Sequence, residues 1–186
     1  MTHVVVFEAN GGNSLLFMNQ AESQHYRPRY GVNSGSGLQT LVDAGDIQPG
    51  QAVGAIGFGW IPAYDLPAKM NPDNGKYSNA ERRHCLAVFK KHGITFSNPN
   101  AEFSGLAYCA PLDLLKVVLD RTPNAVTFSA FVQVLNALGT SYEAPAALGT
   151  NLSATQHDGP SKGYYWSYFA ACKCLHYTGT VRTIPS

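Results

Sequence analysis

Two stretches combine hydrogen-bonding residues with the glycines that let a backbone approach a ligand closely: Glu8-Ala9-Asn10-Gly11-Gly12 and Asn33-Ser34-Gly35-Ser36-Gly37. The first follows a β-branched apolar run and precedes a helical pattern, so its backbone N–H groups can cradle a carboxylate at a helix N-terminus. The plainer reading is a strand-to-helix turn that needs glycine for its backbone angles. Neither a G-x-G-x-x-G dinucleotide fingerprint nor a P-loop is present. Catalytic chemistry has weaker support. Ser36 has Ser34 where a nucleophile elbow needs its first glycine, and the neighbours His84 and Cys85 diverge on a helix rather than forming a nucleophile–base dyad. His157-Asp158-Gly159-Pro160 reads as a polar turn. The chain is therefore expected to bind rather than to catalyse, with no cofactor.

The four cysteines allow three pairings. Cys85 and Cys109 fall on the inner faces of consecutive long helical patterns, and a bridge there stabilises by roughly 3 kcal/mol in chain-entropy terms. Cys172 and Cys174, two apart on a strand, point the same way with Cα atoms about 6.6 Å apart, so they bridge only where the strand bends or bulges. With His176 they also form three soft donors. Structural zinc sites seldom use that spacing and no second Cys or His pair is obvious, so a packed, sulfur-bearing strand face is the expectation and no metal is assigned.

The elements that must position these residues follow from periodicity. Val4 to Phe7 is continuously apolar and reads as a buried parallel strand; Leu15, Leu16 and Met18 mark a helix capped by Asn13 or Ser14. Arg29 to Val32 is a second strand, with a helix through Leu38, Leu41 and Val42. Ala52 to Phe58 is a third, stopped by Pro62. Three βα units argue for a parallel sheet flanked by helices, whose ligand crevice lies beyond the carboxyl ends of the strands. Met70 to Gly75 is turn chemistry and the best boundary. Helices are expected over 78–92, 103–121 and 127–138, the last capped by Thr127. Tyr164 to Tyr177 and Thr180 to Ile184 suggest a C-terminal β-hairpin turned at Thr178-Gly179.

At 186 residues the chain can form one domain or two small lobes. Charged residues make up 13%, against roughly 25% in an average soluble domain, so neutral polar residues cover its surface, as is more usual in secreted proteins. A net charge of +1 provides no field for nucleic acid or an anionic membrane. No apolar run approaches the ~20 residues needed to span a bilayer, and Met1 to Asn10 lacks the order of a signal peptide.

Taken together, VVVFEANGG (4–12), QHYRPRYGVN (24–33), GAIGFGWIPAYD (54–65), SGLAYCAPLDLLKVVLDR (104–121), TFSAFVQVLNAL (127–138) and YYWSYFAACKCLHYTG (164–179) form an ordered set. That set resembles the C-terminal half of a type I periplasmic solute-binding protein, of the branched-chain amino-acid receptor family that serves ABC importers. The resemblance implies second-lobe βα units over 1–68, a crossover and helical segment over 69–140, and a C-terminal loop and hairpin over 141–186, as one compact unit or half of a larger protein. It implies ligand contacts at Phe7, Glu8, Ala9, Asn10, Asn33, Ser34 and Trp60. Family members that bind amino acids often carry an acid on the second loop to hold the substrate ammonium. Here that loop reads Asn33-Ser34, so either Glu8 substitutes or the ligand carries no ammonium, which favours a carboxylic acid, an aromatic compound or another neutral solute. The implied function is non-catalytic binding of an amino acid, carboxylic acid or aromatic compound outside the cytoplasm, with a membrane permease as partner. The alternative is an assembly module or ligand-sensing regulatory half-domain that pairs with itself or with a missing N-terminal lobe.

Overall fold

The computed structural model describes residues 2–67, 70, 77–123, 126–157 and 159–184, which form two compact units. The turn expected at 70–75 lies, Met70 apart, outside the described residues, as does Asp158. The first unit contains residues 1–71 and 163–182. Its elements are β1 (His3–Val6), α1 (Gly12–Ser23), β2 (Arg29–Asn33), a 3₁₀ turn at Ser34–Ser36, α2 (Leu38–Ala44), α3 (Pro49–Ala52), β3 (Ile56–Gly59), α4 (Pro62–Asp65), β4 (Lys162–Phe169) and β5 (Cys174–Thr183). The five strands make one mixed sheet in the order β1-β2-β3-β4-β5; β1, β2 and β3 are parallel, and β4 runs antiparallel to β3. This is the expected α/β architecture with its C-terminal hairpin.

Strand periodicity of two separates the faces of this sheet. Val6, Val32, Gly57 and Trp166 align across four strands, and Val32 and Trp166 belong to a core with Met18, Leu38, Val42 and Ile47. A side chain at Gly57 would strike the Trp166 indole and the Val32 carbonyl, so glycine there makes room for the largest residue of the core. α1 buries Ser14, Met18 and Ala21, spaced four and three apart. The opposite row is Val5, Gly31, Ile56 and Ser167, followed by Asn33, Phe58 and Tyr165. It is open: Val5 is 64% and Ile56 61% exposed. The apolar run from Val4 to Phe7 thus does not make a doubly buried strand, because β1 is an edge strand covered on one face.

Local chemistry also moves three expected boundaries. Pro49 opens the short helix α3 and Gly54 at φ 77 ends the turn after it, so the third strand begins at Ile56 rather than Ala52. The cap of α1 is Gly11 at φ 75, not Asn13 or Ser14. The hairpin turns at residues 170–173, not at Thr178-Gly179, with Lys173 at φ 52; Gly179 at φ 70 lies inside β5. Cys172 is therefore on a turn, its Cα lies 5.2 Å from that of Cys174, and the two are disulfide-bonded.

The second unit covers residues 72–162 and 183–186 and contains α5 (Ala80–Lys91), α6 (Pro99–Arg121) and α7 (Phe128–Ala137). Each helix begins at a polar cap: Asn79, Asn98 and Thr127 accept from the N–H groups of Arg82, Ala101 and Ala130. α6 starts four residues before the expected Phe103, because Asn98-Pro99 provides both a cap and a first-turn proline. Its core gathers Val118, Leu138, Tyr142 and Leu152. Cys85 and Cys109 are bonded, joining α5 to α6, and the buried Arg82 pairs with Glu102 between the same helices.

Candidate functional site

The loops after β1, β2 and β3 emerge at the carboxyl ends of three parallel strands and interlock. Gly35 touches the backbone of Glu8 and Ala9 closely enough that any side chain would collide with it. Gly11 stands in the same relation to the Ser36 carbonyl, at 2.9 Å from an added Cβ, and Gly37, at φ 56, lies under the Tyr64 ring of α4. Both glycines need their left-handed backbone as well as their missing side chain.

Ser34 joins the second loop to the third. Its hydroxyl accepts from the Trp60 N–H at 2.8 Å and the Ile61 N–H at 3.3 Å, and donates to the Asp65 carboxylate at 2.9 Å. Asp65 Oδ2 also accepts from the Ile61 N–H at 3.1 Å and the Tyr177 hydroxyl at 2.5 Å. Burial pushes the Asp65 carboxyl up to about 7, against the hydrogen bonds from Tyr177, Ser34 and Ile61, which lower it. The Tyr64 phenol is raised, first by its own burial and then by the Glu8 and Asp65 carboxylates. Ser34 and Asp65 are 1% and 3% exposed, and their hydrogen bonds tie the second loop to the third.

The residues expected at the site divide accordingly. Glu8 turns inward to α1: its carboxylate accepts from Asn13 N–H at 2.8 Å, from Ser14 N–H at 3.0 Å and from the Ser14 hydroxyl. It supplies the acid that favours a helix N-terminus. Asn10 accepts from the Gly12 N–H at 3.2 Å, and Ala9 is exposed. Phe7, Asn33 and Trp60 come together along an open groove of about 460 Å³, which continues over Val5, Ile56, Phe58 and Tyr165 on the open face of the sheet. That volume is in the range of small-molecule sites, and the wall is mostly apolar. Phe58 stacks edge-on to Tyr165 with centroids 5.4 Å apart and lies 6.4 Å from the Trp60 ring. Asn33 accepts from the Ser36 hydroxyl at 3.1 Å.

Val5, Ile56 and Tyr165 enter this wall from strand positions that loop chemistry does not flag; the signal that could have found them is their shared two-residue period across β1, β3 and β4. Asp65 and Tyr177 are 112 residues apart, and no local pattern links them.

No protein-family model matches the sequence, and no curated protein does. Solved structures do match the fold. A branched-chain amino-acid ABC transporter from Thermus thermophilus with bound valine aligns with a TM-score of 0.64 at 12% identity, over 99% of this chain and 46% of that one. A possible leucine/isoleucine/valine-binding protein from Rhodopirellula baltica SH 1 aligns with a TM-score of 0.50 at 12% identity, over 97% of this chain and 42% of that one. The chain spans less than half the length of either, and shares with both the sheet and flanking helices of the type I periplasmic-binding-protein fold.

Proposed function

We propose that the chain is the C-terminal half of a type I solute-binding protein of an ABC importer, and that it supplies one wall of a non-catalytic solute cleft outside the cytoplasm. The interlock of three loops at the ends of β1, β2 and β3, through Gly35 and Ser34, carries this reading. In open α/β sheets ligands bind beyond the carboxyl ends of the strands, and here that edge is pre-organised. Phe7, Asn33 and Trp60 make the wall, Ala9 and Asn10 its rim, and Glu8 and Ser34 hold the loops in place. With Glu8 engaged at α1 and an amide at position 33, these two loops offer no free carboxylate to an ammonium. Among amino acids, carboxylic acids and aromatic compounds, the last two are favoured. No helix among the described residues is long and apolar enough to cross a membrane, and the proposed partner is a membrane permease.

Thermal-shift titration with valine, benzoate and phenylacetate tests the wall. At least one should raise the melting temperature, and Trp60→Ala and Asn33→Ala should remove the rise, each read against its own unliganded melting temperature because both residues are half-buried and Asn33 accepts from the buried Ser36 hydroxyl. No shift with any compound, together with no co-purified solute in native mass spectrometry, sinks the reading.

The second reading, an assembly module, has its own observation. Tyr108, Leu112, Leu115 and Leu119 are exposed on α6 at spacings of four, three and four, a coiled-coil seam in miniature. The same native spectrum counts subunits: a strict monomer removes self-association, and a dimer that Leu112→Lys dissociates establishes it.

A further inference from the structure

We propose that the turn Cys172-Lys173-Cys174, with His176, is a thiol-gated site for one soft monovalent cation, Cu(I), closed by the disulfide and opened by its reduction. The site is independent of the solute wall, and its test is separate from that one. The Sγ atoms of Cys172 and Cys174 and a ring nitrogen of His176 all lie within 4.8 Å of one another. His176 Nε2 is 3.0 Å from the Cys174 sulfur and 3.5 Å from that of Cys172. A cation bound at about 2.0–2.3 Å from each of three donors needs them roughly 3.5–4 Å apart; the two sulfur–nitrogen separations approach this, and the bonded sulfurs must part.

The turn is held from outside the disulfide. The buried Gln39 side chain of α2 accepts from the Leu175 N–H at 2.6 Å and donates to the Lys173 carbonyl at 3.4 Å, gripping the backbone on both sides of Cys174. The Phe169 ring lies 4.7 Å from the imidazole of His176. Breaking the sulfur–sulfur bond thus leaves Cys174 and His176 anchored, and rotation of the partly exposed Cys172 side chain opens the space between the sulfurs. That exposure also admits a reductant.

A small dithiol performs the first step: its two S–H groups give two electrons and two protons to the Cys172–Cys174 bond, yielding two cysteine thiols and one disulfide on the reductant. Cu(I) then displaces both thiol protons and binds two thiolates and the neutral imidazole. Thiolates select Cu(I) and zinc; a closed structural zinc site takes four protein ligands, no fourth His, Cys, Asp or Glu joins the cluster among the described residues, and three soft donors match the low coordination number of Cu(I).

The test uses the full chain, reduced and kept anaerobic, with Cu(I) delivered against a chromogenic chelator. Wild type should take one more tightly held Cu(I) per chain than Cys172→Ser/Cys174→Ser. Cys85 and Cys109 are reduced in both and cancel. His176→Ala should weaken that extra site by at least about tenfold, no less than the loss of an outer-shell partner causes. Peptide-resolved alkylation of wild type needs no serine variant to fold: Cu(I) should shield Cys172 and Cys174. Equal stoichiometry in wild type and the double variant, unshielded thiols, or unchanged affinity in His176→Ala would each overturn the proposal.

Discussion

The two units are stabilised by different means. In the first, eleven buried residues form one cluster around Trp166, and only the distal Cys172–Cys174 bond is covalent. In the second, four buried residues form the core, α7 buries none of its residues, and α5 is tied to α6 by a disulfide and a buried ion pair. Small cores need staples because apolar area alone scarcely offsets chain entropy. The contrast has a functional side. A well-packed sheet can hold three loops rigid at one edge, and the same sheet leaves its other face as an apolar wall.

The contrast can be broken from either end, and the molecule provides its own probes. Both tryptophans, Trp60 and Trp166, lie in the first unit, while the longest helix, α6, lies in the second. The largest expected effect is at the sheet core. Trp166→Ala should cost about 3–5 kcal/mol, the usual range for a large aromatic truncated in a core, because Gly57 beneath it has no side chain to fill the space. Urea unfolding followed by Trp60 fluorescence measures it, and a loss under about 1 kcal/mol would show that this core does not carry the unit.

A smaller effect is expected from the staple. Cys85→Ala/Cys109→Ala should lower stability by about 3 kcal/mol, in chain-entropy terms for a closed loop of this order. The loss should appear first in helical circular dichroism, at lower urea than the tryptophan signal of the first unit. If both signals move together by the same amount, the staple serves the whole chain and the distinction between the units fails.

How legible this was from sequence varies along the chain for physical reasons. β1, β2 and the helix of residues 128–137 were readable because apolar run, cap and period agree locally, as Thr127 illustrates. The hairpin turn was not. Ala170-Ala171-Cys172-Lys173 contains neither Gly nor Pro, whereas Thr178-Gly179 has turn composition but sits within a strand. The open sheet face was hidden for another reason. A continuous apolar run such as Val4 to Phe7 looks the same whether helices cover both faces or one, and only the exposure of Val5 distinguishes the cases. Glu8 shows the limit of loop chemistry. A carboxylate beside Gly-Gly at a helix start suits either a ligand or the helix, and here both its oxygens go to the N–H groups of Asn13 and Ser14.

The smallest effect at acid pH, and the sharpest in sign as pH rises, belongs to Asp65, which ties the core of the first unit to its loops. Its carboxyl is raised from 3.8 to about 7 in the folded protein, chiefly by burial. Between those values the folded state holds a proton that the unfolded chain releases, so this group makes unfolding easier as pH rises. Its contribution is fully present below about 4 and is lost as pH climbs through 7. Asp65→Asn keeps an oxygen to accept from Ser34, Ile61 and Tyr177 but cannot titrate. The substitution should change stability at pH 4, where both side chains are neutral, by about 1 kcal/mol, the scale of one hydrogen bond, while removing the decline between pH 4 and 7, so the two proteins diverge as pH rises. Urea midpoints of both proteins at four or five pH values, read by tryptophan fluorescence, decide it. Parallel profiles would mean that Asp65 remains ionised under the loops. In that case the Ser34–Asp65–Tyr177 cluster would be a charged anchor in both states of the buffer, and loop geometry would be independent of pH.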